Sequence, residues 1–320
     1  MRIITAADIA EVADFRDLVE TLRETFRRPP IAPPRHHHTI ERPGGEPDST
    51  LLIMPAWTDF VGQGSSAKGY AGVKVVSVVP DNKLRNLPSV VGAYLLLSGE
   101  SGVPLALLDG QALTLWRTAA ASALASSYLS RTDSKRLLMI GAGALAPYLI
   151  RAHCAVRPIE HVLIWNRSPE RAAKVASRLS DIPARIAVTD DLEGAVRGAD
   201  IISSATMSEV PLIEGLWLSA GQHVDLVGAF KPTMRESDSQ AITKARVFCD
   251  TREGALTESG DLAIPIEEGR FTAEDVAGDL FDLCRGERAG RRFYDQTTLF
   301  KSVGTAAEDL AVAAHVFARA

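Results

Sequence analysis

The stretch Lys135–Ile150, KRLLMIGAGALAPYLI, constrains this chain more than any other part of it. The apolar run Leu137–Ile140 leads into Gly141-Ala142-Gly143-Ala144-Leu145-Ala146 and then into a helix-forming segment. That spacing suits a strand turning sharply into a helix. Gly141 takes the turn, and Gly143 lets backbone N–H groups approach a pyrophosphate at the helix N-terminus. A glycine pattern alone is weak evidence, but here a second β-like run, HVLIWN (161–166), ends where the ribose-binding residue of a dinucleotide fold stands.

The sequence after Arg136 continues in the same rhythm. RLLMIG, ALAPYLIRAHCAV, HVLIWN, SPERAAKVASRLS, ARIAV, DLEGAVRGA, DIISSAT, GQHVDLVGAF and ARVFCD alternate strand and helix character, which predicts a parallel sheet covered by helices. Upstream the pattern differs. Residues 5–27 place Ile9, Val12, Phe15, Val19, Leu22 and Phe26 at helical spacing behind a Thr5 N-cap and predict one amphipathic helix. RRPPIAPPRHHH follows, with four prolines in six positions, and reads as an extended connector. Between residues 49 and 109 the runs TLLIMPAW, YAGVKVVSVVP, SVVGAYLLLSG and VPLALLDG stand without helices between them, the last two joined by an ESG turn. They predict a mainly antiparallel sheet. An Ala- and Leu-rich helix over 113–131 leads out of it, and GTAAEDLAVAAHVFARA predicts a final amphipathic helix. The fold class is therefore α/β, a doubly wound Rossmann parallel sheet joined to an α+β domain with a mainly antiparallel sheet.

A length of 320 residues accommodates two such domains. Net charge is −5 with no basic block, which argues against a nucleic-acid partner. Leu137–Ile150 is the longest apolar run, and its Gly and Pro leave it short of the roughly 20 residues a bilayer crossing requires, so no membrane partner is expected. The start, MRIITAADIAEVADF, carries acids early and lacks a signal-peptide pattern, so a cytoplasmic protein is expected. Cys154, Cys249 and Cys284 are widely spaced and read as free, buried thiols. His36-His37-His38 point to alternate sides of an extended segment and do not converge on one Zn²⁺, so no metal is expected; a place at the pocket rim or on the surface suits them better.

The second β-run of an NAD-selective site ends in Asp or Glu. Here it ends in Asn166-Arg167-Ser168, with Arg171 beyond. A carboxylate would repel a 2′-phosphate, whereas an arginine fork pairs with it and a serine adds a donor. NADPH is the expected cofactor, with NADH also usable.

AGVKVVSVVPDN (71–82), PLALLDGQALTLWRTAAASALA (104–125), MIGAGALA (139–146), IISSATMSEVPLI (201–213), HVDLVGAFKPTMRE (223–236) and LFKSVGTAAEDLAVA (299–313) together resemble the ornithine cyclodeaminase and mu-crystallin family, in order along most of the chain. The resemblance implies a substrate-binding and dimerisation domain over 1–117 and 305–320, to which the C-terminal helix returns, and an NAD(P)-binding Rossmann domain over 118–304. It implies a homodimer. It assigns Lys74 and Arg117 to the substrate, Arg117 and Arg35 gripping a carboxylate, and places Met54 and Phe230 in the pocket. It gives Thr118 a cofactor-phosphate contact, and Ala205, Thr206, Met207, Val227, Ser302 and Gly304, with Gly141, Gly143, Ala144 and Leu145, to the cofactor.

One position departs from the family pattern. Ornithine cyclodeaminases carry an aspartate in the segment that reads Gly228-Ala229-Phe230-Lys231-Pro232 here. With Phe230 in its place, deamination and ring closure lose their general base. Reduction of a cyclic ketimine, Δ1-pyrroline-2-carboxylate or Δ1-piperideine-2-carboxylate, needs only a carboxylate anchor, a hydride and a proton, and the chain most resembles the pyrroline-2-carboxylate reductases linked to hydroxyproline breakdown. Lys74, or a water it positions, is the proton source on this reading, with Lys231 and Asp225 as secondary candidates. Alternatives are an ornithine cyclodeaminase, an alanine-type amino-acid dehydrogenase, and a crystallin-like NADPH-binding protein with little turnover.

Overall fold

A computed structural model describes residues 1–63, 69–85 and 87–320. The first part of the chain forms strand β1 (Arg2–Ile4), helices α1 (Ala6–Val12) and α2 (Phe15–Arg27), strands β2 (His36–Ile40) and β3 (Ser49–Trp57), and the short helix α3 (Phe60–Gln63). Strands β4 (Tyr70–Val78), β5 (Val90–Ser98) and β6 (Pro104–Asp109) and the long helix α4 (Gly110–Leu129) complete it. The chain divides into two compact units, Met1–Arg117 with Thr305–Ala320, and Thr118–Gly304.

In the first unit six strands form one sheet in the order β1-β6-β5-β4-β3-β2, antiparallel except for the parallel β1·β6 pair. Strand alternation fixes its two faces. Met54, Lys74, Tyr94, Leu108 and Ile4 lie in one cross-strand row and are buried. Val73, Val75, Leu95, Leu107 and Ile3 point the other way. Helix α2 buries Phe15, Leu18, Val19, Leu22 and Phe26, a stripe at helical spacing.

Residues 5–27 are two helices where the periodicity predicts one. The Thr5 cap is present, with a full capping box to Asp8, but α1 stops at Ala13, which is extended, and Asp14 starts α2 by accepting from the N–H groups of Arg16 and Asp17. An aspartate that caps so well competes with helix continuation. His36–His38 form part of the exposed edge strand β2, with the rings of His36 and His38 on the same side.

The second unit contains β7 (Arg136–Ile140), α5 (Ala146–Val156), β8 (His161–Trp165), α6 (Pro169–Ala176), β9 (Arg185–Thr189), α7 (Leu192–Gly198), β10 (Ile201–Ser204) and β11 (His223–Leu226). It continues through α8 (Ser239–Lys244), β12 (Arg246–Cys249), α9 (Arg252–Glu258), α10 (Gly260–Glu267), β13 (Gly278–Asp279), α11 (Leu280–Arg285) and β14 (Thr298–Lys301). All eight strands are parallel, in the order β13-β12-β14-β11-β10-β7-β8-β9. The chain runs outward from β7 through β8 to β9, then returns to β10 on the other side of β7. That reversal opens a crevice at the carboxyl ends of β7 and β10, where doubly wound sheets bind ligands.

Helix α12 (Ala306–Phe317) belongs to the first unit, where it packs on α2 and on β3, β4 and β5. The expected amphipathic pattern is absent. Ten of its twelve residues are buried, because alanine and valine let sheet and helix approach it on most sides.

Candidate active site

In the first unit the alternation of β4 turns Lys74 inward, between Met54 on β3 and Tyr94 on β5. Its ammonium reaches both carboxylate oxygens of Asp309 on α12, each at 2.8 Å, with the Thr114 hydroxyl at 3.5 Å. Arg117 on α4 meets the same helix. Its Nη1 donates to Glu308 at 2.8 Å, and its Nε lies 3.2 Å from Asp309. All four charged side chains are buried. Burial lowers the Lys74 ammonium from its ordinary value to about 8, against the attraction of Asp309, with the positive charges of Arg117 and Arg35 adding to the fall. Buried Tyr94 lies close enough to Asp309 for that charge to help burial raise its phenol well above the usual value. This unit thus brings together Lys74, Arg117, Met54 and, through its field at Lys74, Arg35.

The second unit gathers its candidates along the carboxyl edge of the sheet. Gly141 has φ 106°, which only glycine adopts readily, and a Cβ there would sit 2.7 Å from the Ala205 carbonyl oxygen. At Gly143 a Cβ would meet nothing within 4 Å. Helix α5 begins just beyond, at Ala146, with Pro147 in its first turn and no side chain capping its N-terminus. Open space in front of an uncapped helix end fits a pyrophosphate, whose oxygens accept from the backbone N–H groups there. The chain therefore fits the dinucleotide that the sequence implies. Gly141 N–H bonds to Trp165 at the end of β8, which places Asn166 and Arg167 beside the turn. Among the described residues no ion pair engages Arg167 or Arg171. Ser168 donates its hydroxyl proton to Glu170 at 2.7 Å.

Acids that were not foreseen tie this edge together. Glu236 accepts from the Ser204 and Thr206 hydroxyls and from the N–H groups of Thr206 and Gly228, at 2.6–2.8 Å. Asp261 accepts from the backbone N–H groups of Glu236 and Ser237 and pairs with buried Lys301 at 3.2 Å. Asp250 accepts from the Ser302 hydroxyl and the N–H groups of Val303 and Gly304. The backbone of 205–206 and 302–304 is thus fixed, while the Thr206 and Ser302 hydroxyls are already committed to carboxylates. Met207 is 77% exposed and Phe230 39% exposed.

Asp225, a secondary proton candidate, is enclosed in the core of the second unit. It accepts from Ser122 and Ser203 and meets His153 at 3.2 Å, all fully buried, which excludes contact with a substrate. Its strand position signalled this, since β11 runs through the middle of a parallel sheet. Glu308 and Asp309 also went unassigned. The available signal was two acids in the first turn of a helix that is otherwise Ala, Leu and Val.

A parallel sheet with an uncapped helix behind its glycine turn, in a chain that also buries a lysine and an arginine against two acids, defines a dinucleotide-dependent oxidoreductase. The chain matches the family model described as Ornithine cyclodeaminase/mu-crystallin family over residues 2–320, and it belongs to that family. It is 40% identical to the Delta(1)-pyrroline-2-carboxylate reductase of Paracoccus denitrificans, over 94% of this chain and 92% of the relative. Among solved structures, the Thermococcus litoralis Delta(1)-pyrroline-2-carboxylate reductase in complex with NADH and L-proline superimposes with a TM-score of 0.91 at 32% identity, covering 99% of this chain and 97% of that one. An archaeal alanine dehydrogenase dimer with bound NAD gives 0.89 at 28% identity, covering 99% and 95%.

Proposed function

We propose that this protein is an NAD(P)H-dependent reductase of cyclic 2-imino acids, acting on the C=N bond of Δ1-pyrroline-2-carboxylate, of Δ1-piperideine-2-carboxylate, or of both, to give L-proline or L-pipecolate. The observation that carries this reading is the buried meeting of Lys74 and Arg117 on one acid, Asp309. It offers a guanidinium for a carboxylate and an amine poised to exchange a proton. The 40%-identical reductase and the structure solved with NADH and L-proline support the same substrate class.

Each residue has a task. Gly141 and Gly143, Ala144 and Leu145 present the helix end to the pyrophosphate; Thr118, Ala205, Thr206, Met207, Val227, Ser302 and Gly304 hold the remainder of the cofactor. When bound, the reduced nicotinamide supplies the hydride for the imine carbon. Arg117, assisted by Arg35, fixes the substrate carboxylate and so sets where that carbon lies, and orientation of this kind accounts for much of catalysis in hydride transfer. Lys74 Nζ gives its proton to the ring nitrogen as the C=N bond becomes C–N, and recovers one from solvent. With its value near 8, it is charged at neutral pH and still a competent acid. Met54 and Phe230 offer apolar surface to the ring.

NADPH is the preferred cofactor on this reading, with NADH accepted, because Arg167 and Arg171 flank the ribose end and no carboxylate occupies position 166. A cytoplasmic homodimer also belongs to it. The outward sheet face carries Ile3 at 74% and Val75 at 41% exposure in one apolar surface with Val73, Leu95 and Leu107, the kind of face that a second copy covers.

Absorbance at the reduced-nicotinamide band, with each imine and with NADPH and NADH in parallel, tests the proposal. Rapid oxidation with a cyclic imine is expected, with no ammonia released from ornithine, and a fall of about 10²–10⁴ in kcat/KM for Lys74→Met and Arg117→Ala. Ammonia release, turnover of pyruvate with ammonia alone, or unchanged rates in the two variants would overturn it.

A further inference from the structure

The acid pair at the start of α12 has no place in the roles assigned so far. Thr305 caps this helix, and Glu308 and Asp309 stand in its first turn, where the positive end of the helix dipole favours ionised carboxylates. Neighbouring helix positions point about 100° apart, so the two acids diverge. Glu308 meets Arg117 alone of the two cations, whereas Asp309 spans both, giving Lys74 both of its oxygens.

Building on the reductase reading, we propose that Asp309 is the positioning residue of the proton step: it keeps the Lys74 amine protonated and aimed, while Glu308 pairs with Arg117. A lysine on the inner face of an apolar sheet loses its hydration, and without a bound anion it would release its proton well below neutrality. The charges and titratable groups facing Lys74 are Asp309 from α12, Arg117 from α4, Arg35 from the connector and the Tyr94 phenol from β5. Of these only Asp309 is an anion, since Tyr94 stays protonated. Both arginines push the ammonium toward its neutral form, and Asp309 opposes them. The step itself balances simply. One N–H bond of the ammonium breaks, one N–H bond forms on the substrate, and the neutral amine beside Asp309 takes a proton back from water.

The test compares the wild type with Asp309→Asn and Glu308→Gln, two variants that each delete one buried negative charge next to Arg117. In kcat/KM for the cyclic imine between pH 5.5 and 10, removing the anion that raises the Lys74 value must lower it. The alkaline limb of Asp309→Asn is therefore expected at least one pH unit below that of the wild type, a deficit of about fivefold at pH 8 that grows to about tenfold by pH 10, beyond any loss at low pH. Glu308→Gln is expected to keep the wild-type limb. An Asp309→Asn profile scaled down evenly at all pH values, or an equal displacement in Glu308→Gln, would overturn the proposal. If Asp309→Asn does not fold, Asp309→Glu retains the charge and must retain the limb, and a downward displacement there would equally overturn it. The titration of Lys74 in the free protein, followed by NMR at the ε-carbon of isotope-labelled lysine and assigned with Lys74→Met, needs no turnover and separates the two ideas. A wild type inert toward imines with Lys74 still titrating lower in Asp309→Asn sinks the reductase reading and leaves the hold of Asp309 on the Lys74 proton standing; a lysine titration that Asp309→Asn does not move sinks that hold.

Discussion

The two glycines of the turn make opposite demands, and alanine at each should separate folding from cofactor binding. At Gly141 an added methyl group meets the Ala205 carbonyl oxygen at 2.7 Å, and the residue holds φ 106°. Backbone strain of about 1–3 kcal/mol and overpacking of about 1–3 kcal/mol combine there, so Gly141→Ala should be destabilised by roughly 2–6 kcal/mol whatever the ligand. At Gly143 the methyl group has nothing within 4 Å, and the residue is not among those with positive φ. Gly143→Ala should then fold as well as the wild type, or better by about 0.4–1 kcal/mol through a less flexible unfolded chain. Its cost should appear only against the pyrophosphate, which must share that open space, and a 10- to 100-fold weaker Kd corresponds to about 1.4–2.8 kcal/mol. Thermal melting with and without NADPH reads both effects. At a concentration 1,000 times the wild-type Kd the ligand stabilises the wild type by about 4 kcal/mol, which falls to about 1.4–2.7 kcal/mol in Gly143→Ala. A Gly143→Ala protein that melts like the wild type and gains as much from NADPH would refute the placement of the dinucleotide.

Further consequences can be checked in the same way. Arg167→Ala should lower NADPH affinity about tenfold or more and leave NADH within about twofold, measured as the ratio of the two KM values. Val75→Asp puts a charge on the outward sheet face and should yield a folded monomer in sedimentation; a persisting dimer would locate the interface elsewhere. Gly72→Ala would bring a methyl group within 2.7 Å of the Tyr94 ring carbons and closer still to its hydroxyl, costing about 1–3 kcal/mol in denaturant unfolding. Tyr94→Phe deletes a buried hydroxyl that lacks a hydrogen-bond partner among the described residues, and should be close to neutral in stability while relieving part of the Gly72→Ala penalty.

Periodicity made the parallel sheet legible because each of its βαβ steps is local: Leu137–Ile140, the glycines and α5 lie within about twenty residues, and the turn chemistry of Gly141 has few alternatives. It failed where two local signals competed. Through 5–27 the apolar stripe runs unbroken, yet Asp14 is a better cap than a helix interior residue, and the cap won. Helix α12 misled for a different reason. Its face pattern carries little information because alanine is tolerated inside and outside alike, and only the fold around it decides that nearly every side is covered.

The site divides along the same line. Gly141, Gly143 and Arg167 belong to one continuous stretch, and their closeness around the strand–turn–helix unit could be read from spacing. The ion cluster of the first unit could not, because Lys74 and Asp309 are separated by 235 positions and Arg117 and Glu308 by 191. Neither acid sits in a motif that physics would single out. What the sequence did hold was an inconsistency in each element: a lysine in the apolar run GVKVVSV, and two carboxylates opening a helix made almost wholly of small apolar residues. Taken singly, each has a harmless explanation in a side chain turned to water. Burial removes that explanation for both at once, since uncompensated charges inside a protein are too costly to persist unless they meet. A buried cation in one element therefore implies an acid in another, and the imbalance along a sequence is itself a contact prediction. Here it points from β4 and α4 to the first turn of α12.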